Sequence, residues 1–187
     1  MTSETPSYDP LPAPRRILTT HNDAGQAVLD ASLPAELEKT SIPGVDNYLA
    51  YTSPALPAPL DGDGDLRHYK SSLRGGGSSV GIAVPGGLAA RVVDFLPGGP
   101  EAPLHRTESV DTGVLVEGQL ELFLDGGETA VLRRGDVFVQ RGTIHGWRNR
   151  SDTTTARLFV VLAAADMPTV KGVKLREEMP IPGLEAK

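Results

Sequence analysis

Short apolar or alternating runs follow one another through the second half of the chain, from residue 80 onward. Clusters of Gly, Pro, Asp and Asn separate these runs, and no helix-length segments alternate with them. Evenly spaced short strands with turn residues between them predict an antiparallel β sandwich or barrel rather than a parallel α/β sheet. The predicted strands are residues 80–84, 88–96, 112–116, 119–124, 129–132, 136–140 and 157–163.

The first part of the chain predicts a hairpin and one further strand ahead of this block. Two β-compatible runs within residues 16–30 flank the turn signal NDAG, which is typical of a β-hairpin. Residues 47–52 predict another short strand. Short helical segments are expected at residues 35–39 and 174–178.

We divide the chain into four parts on this basis. Residues 1–14 are rich in Pro, Ser and Thr and predict a flexible arm. Residues 15–79 carry strands and long loops that pack on the barrel or on a partner, and residues 53–80 predict one long loop. Residues 80–166 form the barrel, and residues 167–187 form a C-terminal extension.

Composition limits the possible partners. The 187 residues are 39% hydrophobic and 22% charged, with a net charge of −6, which is typical of a soluble globular protein. We expect no nucleic-acid partner, because no basic stripe is present. We expect no membrane insertion, because no apolar run approaches the ~20 residues that span a bilayer, and we expect a cytoplasmic protein.

The chain contains no cysteine and four histidines. A bound metal would therefore depend on histidine, carboxylate or other oxygen ligands. Two of the histidines lie beside predicted strands of the barrel, each within a distinctive stretch of sequence. His105 lies in GPEAPLHRTESVDTGVLVEG, residues 99–118, and His145 lies in GDVFVQRGTIHGWRN, residues 135–149.

These two stretches resemble the paired motifs of the cupin superfamily. Gly99, His105 and Gly118 match the first motif in register. The second motif is matched by Gly135, His145 and Asn149, although its loop is one residue shorter and Arg141 stands in place of a proline. The resemblance implies a jelly-roll β-barrel, here with an N-terminal hairpin extension and short helical segments. It also implies a homodimer.

The resemblance implies a metal site as well, but with two departures. Thr107 stands where the motif has its second histidine, and Asp111 stands where it has a glutamate. The remaining implied ligands are His105, Asp111 and His145. Two histidines and one carboxylate are the set that open non-haem Fe(II) sites use. We therefore expect a divalent ion such as Fe, Zn, Mn or Ni, or else no metal at all.

Strand alternation assigns directions to the neighbouring side chains. Residues 105 and 107 share one face of an extended segment, and residues 106 and 108 share the other. Thr107 is thus expected to face the pocket, as a hydrogen-bonding group or merely a β-former. Glu108 is an alternative carboxylate ligand or a proton-transfer group, and Asp111 is the other candidate for proton transfer.

Three residues near His145 are candidates for substrate binding. Arg141 is either a partner for a substrate carboxylate or an exposed turn residue. Gln140 lies just before the same loop. Trp147 is the single tryptophan, and alternation with His145 directs it into the barrel as core or as pocket wall.

The runs HRTESVDTGVLVEG and QRGTIHGWRN, with RRILTTHNDAGQAVL ahead of them, resemble a narrower group of small cupins from fungal and bacterial secondary-metabolite gene clusters. The resemblance implies small-molecule chemistry. Our first hypothesis is a metal-assisted decarboxylase, dehydratase or isomerase that acts on a polyketide-like, aromatic or carboxylated metabolite. The alternatives are an Fe(II)-dependent oxidoreductase or oxygenase, and a non-catalytic binding protein without metal.

Overall fold

Two antiparallel sheets pack against each other in this computed structural model, which describes residue 8, residues 10–73 and residues 81–180. In chain order, the strands of these segments are β1 (Leu18–His21), β2 (Ala27–Asp30), β3 (Lys39–Ile42), β4 (Val45–Ser53), β5 (Leu88–Phe95), β6 (Ala102–His105), β7 (Ser109–Glu117), β8 (Gln119–Leu124), β9 (Thr129–Arg133), β10 (Val137–Arg141), β11 (His145–Arg148), β12 (Ala156–Ala164), β13 (Thr169–Val170) and β14 (Val173–Lys174).

The larger sheet has six strands in the order β10-β7-β12-β5-β4-β3, and the smaller has four in the order β6-β11-β8-β9. Inward-facing side chains of both sheets form one core, including Leu115 and Leu158 from the larger sheet and Leu120 and Trp147 from the smaller one. Non-consecutive strands are neighbours in both sheets, as in a jelly roll. The predicted all-β barrel is confirmed.

The N-terminal hairpin and the strand predicted at residues 47–52 are also present. β1 pairs with β2 in an isolated two-stranded sheet, while β4 pairs directly with β5 and extends the larger sheet. The first part of the chain is therefore continuous with the barrel through β4. No helix of the described segments has the length and apolar character needed to cross a bilayer.

The long loop predicted at residues 53–80 is partly wrong, because it contains the helix α1 (Gly64–Leu73) after a 3-10 turn at Asp61–Asp63. The glycine and aspartate residues ahead of the helix favour a turn. They make the helical spacing of Leu66 and Tyr69, three residues apart, difficult to recognise in the sequence. Leu66 and Tyr69 are buried against β4, and the Tyr69 hydroxyl donates to the Leu49 carbonyl at 2.8 Å. Residues 74–80 lie outside the described segments.

Three other predictions of local structure are wrong. Residues 81–84 form a bend rather than a strand, because the Arg91 guanidinium donates hydrogen bonds to the backbone carbonyls of Gly81 and Ile82. The predicted helical turns at residues 35–39 and 174–178 are extended instead, since isolated β-bridges join Arg15 to Glu36 and Arg106 to Glu178. The short strands β6 and β11 were not predicted, because proline and glycine interrupt their apolar patterns.

The described part of the predicted N-terminal arm is held against the larger sheet. The backbone carbonyl of Pro14 accepts from the amide of Leu37 at 3.0 Å. The Pro12 carbonyl accepts from Arg157 at 2.9 Å, and Arg157 also forms two hydrogen bonds of 2.6 and 2.7 Å with Asp94. A buried ion pair thus fixes residues 10–14 to β5 and β12.

We expect the Asp94→Asn substitution to destabilise the fold by about 3 kcal/mol, because it leaves the buried Arg157 without a counter-charge. The matched control is Glu117→Gln, which removes an exposed 3.5 Å pair with Arg134 and should cost less than about 1 kcal/mol. Urea unfolding of both variants measures the difference. An equal loss of unfolding free energy in the two variants would contradict the prediction that the buried ion pair stabilises the fold.

Candidate functional site

The two sheets enclose a cavity of about 100 Å³ whose wall is mostly apolar. Phe95, Leu158 and Leu162 of the larger sheet face Trp147 of the smaller one across it. A few polar side chains interrupt this wall: Asn47, His105, Thr107, Asp111, Gln140 and His145. A predominantly apolar pocket with a few convergent polar groups is the usual form of a small-molecule site.

His105 and His145 are directly opposite each other on β6 and β11, with ring centroids 4.4 Å apart. The Nδ1 of each ring bonds a backbone carbonyl two residues earlier, that of Pro103 at 2.8 Å and that of Thr143 at 3.0 Å. A carbonyl only accepts, so Nδ1 carries the proton in both rings. This tautomer leaves the lone pair of both Nε2 atoms available.

Both histidines are neutral in this environment. Burial lowers the pKa of His105. Burial, together with the nearby ring of His105, lowers the pKa of His145 to about 4. The pair therefore offers two acceptor nitrogens at neutral pH, and neutral imidazole is the form that binds metals.

Asp111 lies at the end of a short stripe of hydroxyl groups on β7 and the residues before it. Thr107, Ser109 and Asp111 are all buried, as the two-residue alternation of an extended segment requires. The Ser109 hydroxyl donates to Asp111 Oδ1 at 2.5 Å, and Thr107 Oγ1 lies 2.7 Å from Ser109 Oγ. The shorter distances favour a chain of donation from Thr107 to Ser109 to the carboxylate.

Burial raises the pKa of Asp111 to about 6, although its hydrogen bonds with Ser109 and Thr107 act in the opposite direction. Hydroxyl groups stabilise the carboxylate less than a cation does, so desolvation dominates. A carboxyl group with a pKa near neutrality can take up and release a proton under physiological conditions.

The site fits a metal ion only in part. The two Nε2 atoms are suited to bind one divalent cation, since a carbonyl bond at the far nitrogen is the usual support of a metal-binding histidine. Within residues 8, 10–73 and 81–180, however, no group of three His, Asp, Glu or Cys side chains could hold an ion. The structure therefore does not gather His105, His145 and Asp111 into the three-ligand centre expected from the sequence.

Glu108 and Arg141 do not line the cavity. The Glu108 side chain is 41% exposed, accepts from the Glu177 amide at 3.3 Å and lies 3.9 Å from Arg176. Arg141 is exposed at the end of β10, where Phe138 and Gln140 face inward. Strand alternation explains both positions, because each residue is adjacent in sequence to an inward-facing one.

Gln140 and Trp147 do line the cavity. Trp147 packs its ring edge-on against Phe138, with centroids 5.1 Å apart, and also contacts His145. It is therefore both core and pocket wall. Gln140 is only 5% exposed, and its Nε2 has no hydrogen-bond partner among the described residues.

Sequence reasoning missed the part of the wall that comes from the N-terminal region. Ile42, Val45 and Asn47, at the end of β3 and the start of β4, line the cavity, as does Ile82. Asn47 Oδ1 accepts from the buried Arg91 at 3.2 Å, which fixes the orientation of its amide. The available signals were the strand predicted at residues 47–52 and the expectation that residues 15–79 pack on the barrel or on a partner.

The fold and site belong to a recognisable class. The cupin domain family matches residues 91–162, and the chain belongs to the cupin family.

Its relatives include fungal proteins that are named for biosynthesis clusters. The chain is 44% identical over 170 residues to oryzines biosynthesis cluster protein J of Aspergillus oryzae, covering 90% of this chain and 92% of that protein. It is 45% identical over 156 residues to phomopsin biosynthesis cluster protein C' of Diaporthe leptostromiformis, covering 82% and 80%. A cupin-domain-containing oxidoreductase of Aspergillus ruber is 32% identical over 164 residues, covering 86% and 77%.

We expect Asp111→Asn to stabilise the metal-free protein at pH 7.5 by about 1–2 kcal/mol. The folded-state pKa of about 6 exceeds the unfolded value of about 3.9, so ionisation is disfavoured in the fold. The stability that Asp111 contributes is complete below the unfolded pKa and is lost as the pH rises through 6. The gain from Asp111→Asn should therefore fade toward pH 4.

Guanidinium unfolding in EDTA at several pH values measures this difference. The control is Asp125→Asn, which changes an exposed turn carboxylate and should show no such dependence. A substitution at Asp111 that destabilises the fold equally at every pH would contradict the prediction.

Proposed function

We propose that this protein is an enzyme of fungal secondary metabolism that moves a proton on a small, largely apolar metabolite, in an isomerisation or a dehydration. The observation that carries the proposal is a carboxyl group with a pKa of about 6 on the wall of an apolar cavity. The names of the relatives support the metabolic context.

Asp111 is the proton-transfer group in this proposal. Its carboxylate takes a proton from a carbon next to a substrate carbonyl. It returns that proton to another carbon in an isomerisation, or to the oxygen of a departing hydroxyl group, which leaves as water, in a dehydration. Ser109, held in turn by Thr107, keeps the carboxylate oriented through the bond to Oδ1. A substrate that fills this mostly apolar cavity would displace water from around the carboxylate, which strengthens electrostatic interactions and limits side reactions.

His105 and His145 act as acceptors in the same proposal. Their Nδ1 protons are already donated to backbone carbonyls. The Nε2 lone pairs are therefore the groups of these rings that can accept a hydrogen bond or bind an ion. These lone pairs orient a substrate hydroxyl, or bind a divalent ion whose remaining positions water or substrate would fill. Such an ion supplies Lewis-acid or, in the case of Fe(II), redox chemistry when bound.

The second candidate function is a metal-dependent oxidoreductase. The geometry of the two histidines favours it, and so does the name of the Aspergillus ruber relative. The two candidates differ in what they require. Proton transfer depends on Asp111, while oxidation depends on the ion at the histidine pair.

We expect the purified protein to catalyse deuterium incorporation next to the carbonyl of at least one member of a panel of small cyclic and aromatic ketones in D2O. Asp111→Asn should lower the rate by a factor of about 100 or more, because general-base catalysis contributes that much. Proton NMR follows the exchange, and Asp125→Asn serves as the control. The absence of enzyme-dependent exchange on every ketone would contradict the proposal.

We also expect the EDTA-treated protein to bind one Co²⁺ or Zn²⁺ ion per chain through the histidine pair. Calorimetry should show that His105→Ala and His145→Ala each abolish binding, while Asp111→Asn retains it. His21→Ala, at an exposed histidine in the hairpin, is the control. Loss of binding in Asp111→Asn would favour the three-ligand centre, and no binding by the unaltered protein would favour a metal-free pocket.

A further inference from the structure

Gln140 lies on β10 directly opposite Asp111 on β7. Its side chain faces the cavity together with that of Phe138, while Val139 and Arg141 face outward. The two polar groups are therefore neighbours on the same wall, on adjacent strands of the larger sheet.

The amide of Gln140 is buried but unused. Gln140 is only 5% exposed, and its Nε2 donates to no group within the described segments. The Asp111 carboxylate beside it instead accepts from the Ser109 hydroxyl, to which Thr107 donates in turn. Native proteins rarely leave a buried amide donor without an acceptor, and such a group calls for an explanation.

Packing alone does not explain the presence of glutamine at this position. The surrounding wall is apolar, including Phe138, Leu158 and Leu162, so an aliphatic side chain of the same length would fill the space without burying an amide. The donor is explained if a bound molecule brings an acceptor to it.

The charges around the cavity define that acceptor. No lysine or arginine belongs to the lining that the structure describes. Arg91 lies behind the wall, where the carbonyl of Ile82 and Oδ1 of Asn47 engage it. The acidic side chain of the described lining is Asp111. An anionic ligand would lie beside this carboxyl group with no lysine or arginine in the lining to pair with it, so a neutral ligand is favoured.

We propose that Gln140 determines ligand specificity by donating its Nε2–H to a carbonyl oxygen of an uncharged and otherwise apolar molecule. This inference rests on the proposed function, because the carbonyl is then held beside the strand that carries Asp111. The carbon next to the carbonyl is thereby brought toward the carboxylate that accepts its proton. Gln140 is a substrate-binding residue in this arrangement and does not transfer the proton itself.

The test uses three fluorinated probes of similar size in ligand-observed ¹⁹F NMR with the full-length chain in EDTA at pH 7.5. The probes are 4-fluoroacetophenone, which offers a neutral carbonyl, 4-fluoroethylbenzene, which lacks an acceptor, and 4-fluorobenzoate, which is anionic. We expect the ketone to bind about fivefold or more tightly than the hydrocarbon, the increment of one satisfied hydrogen bond, and the benzoate to bind most weakly.

The preference should disappear in Gln140→Met, which keeps the length of the side chain and removes the donor. Ketone and hydrocarbon should then bind equally well. The matched control is Gln119→Met, at an exposed glutamine on β8, which should keep the preference. Thermal unfolding of each variant establishes that it is folded before the comparison is made.

Several results would overturn the proposal: a ketone preference that persists in Gln140→Met, a tighter affinity for benzoate than for the ketone, or no binding of any probe at millimolar concentration. The unaltered protein alone tests the order of affinities, so the test stands even if Gln140→Met fails to fold. Deuterium exchange without a ketone preference would reject Gln140 alone. A Gln140-dependent preference without exchange would reject the proton transfer alone.

Discussion

The Asp111 carboxyl group lies inside an apolar barrel with hydroxyl groups beside it instead of a cation, and the chemistry of the site depends on this arrangement. Asp94 shows the contrast within the same sheet, because the guanidinium of Arg157 binds both of its oxygens. The fold is therefore able to pair a buried carboxylate with arginine. Among the described residues, Asp111 has the hydroxyl groups of Ser109 and Thr107 beside it and no cation, and its pKa rises because these groups only partly offset desolvation.

The same dry environment sets the state of the histidine pair. Two imidazoles with ring centroids 4.4 Å apart cannot both carry charge at low cost in such a place. The carbonyls of Pro103 and Thr143 then select the Nδ1 tautomer in both rings. Burial and local backbone geometry together produce two acceptor nitrogens on the wall of one cavity. The donor that a substrate oxygen requires has to come from elsewhere on the wall, and Gln140 lies in a position to provide it.

The sequence predicted a shared pocket for His105 and His145, and both line the cavity from the paired strands β6 and β11. The spacing within each motif fixes where each histidine lies on its strand. The sequence leaves two positions open, since Glu108 alternates with the inward-facing Thr107 and Arg141 is either a carboxylate partner or an exposed turn residue. The structure places both outside the described cavity lining, in agreement with the inward phase of Phe138 and Gln140. The helix α1 was beyond such reasoning, since its buried face depends on contacts with β4 that are distant in sequence. Whether Asp111 forms a three-ligand group with the histidines depends on the relative position of the two sheets, which no local pattern encodes, and the described segments contain no such group.

The N-terminal region belongs to the site as much as the cupin motifs do. Residues 91–162 contain the motifs, yet Ile42, Val45 and Asn47 close the cavity from strands that precede them. Arg91 connects these parts, because its guanidinium binds Asn47 on one side and the carbonyl of Ile82 on the other. Burial lowers the pKa of Arg91 to about 10, which still leaves it charged at neutral pH. Within the described segments, carbonyl and amide oxygens solvate this buried cation. The segments that supply them are held against the barrel, where they shape the pocket.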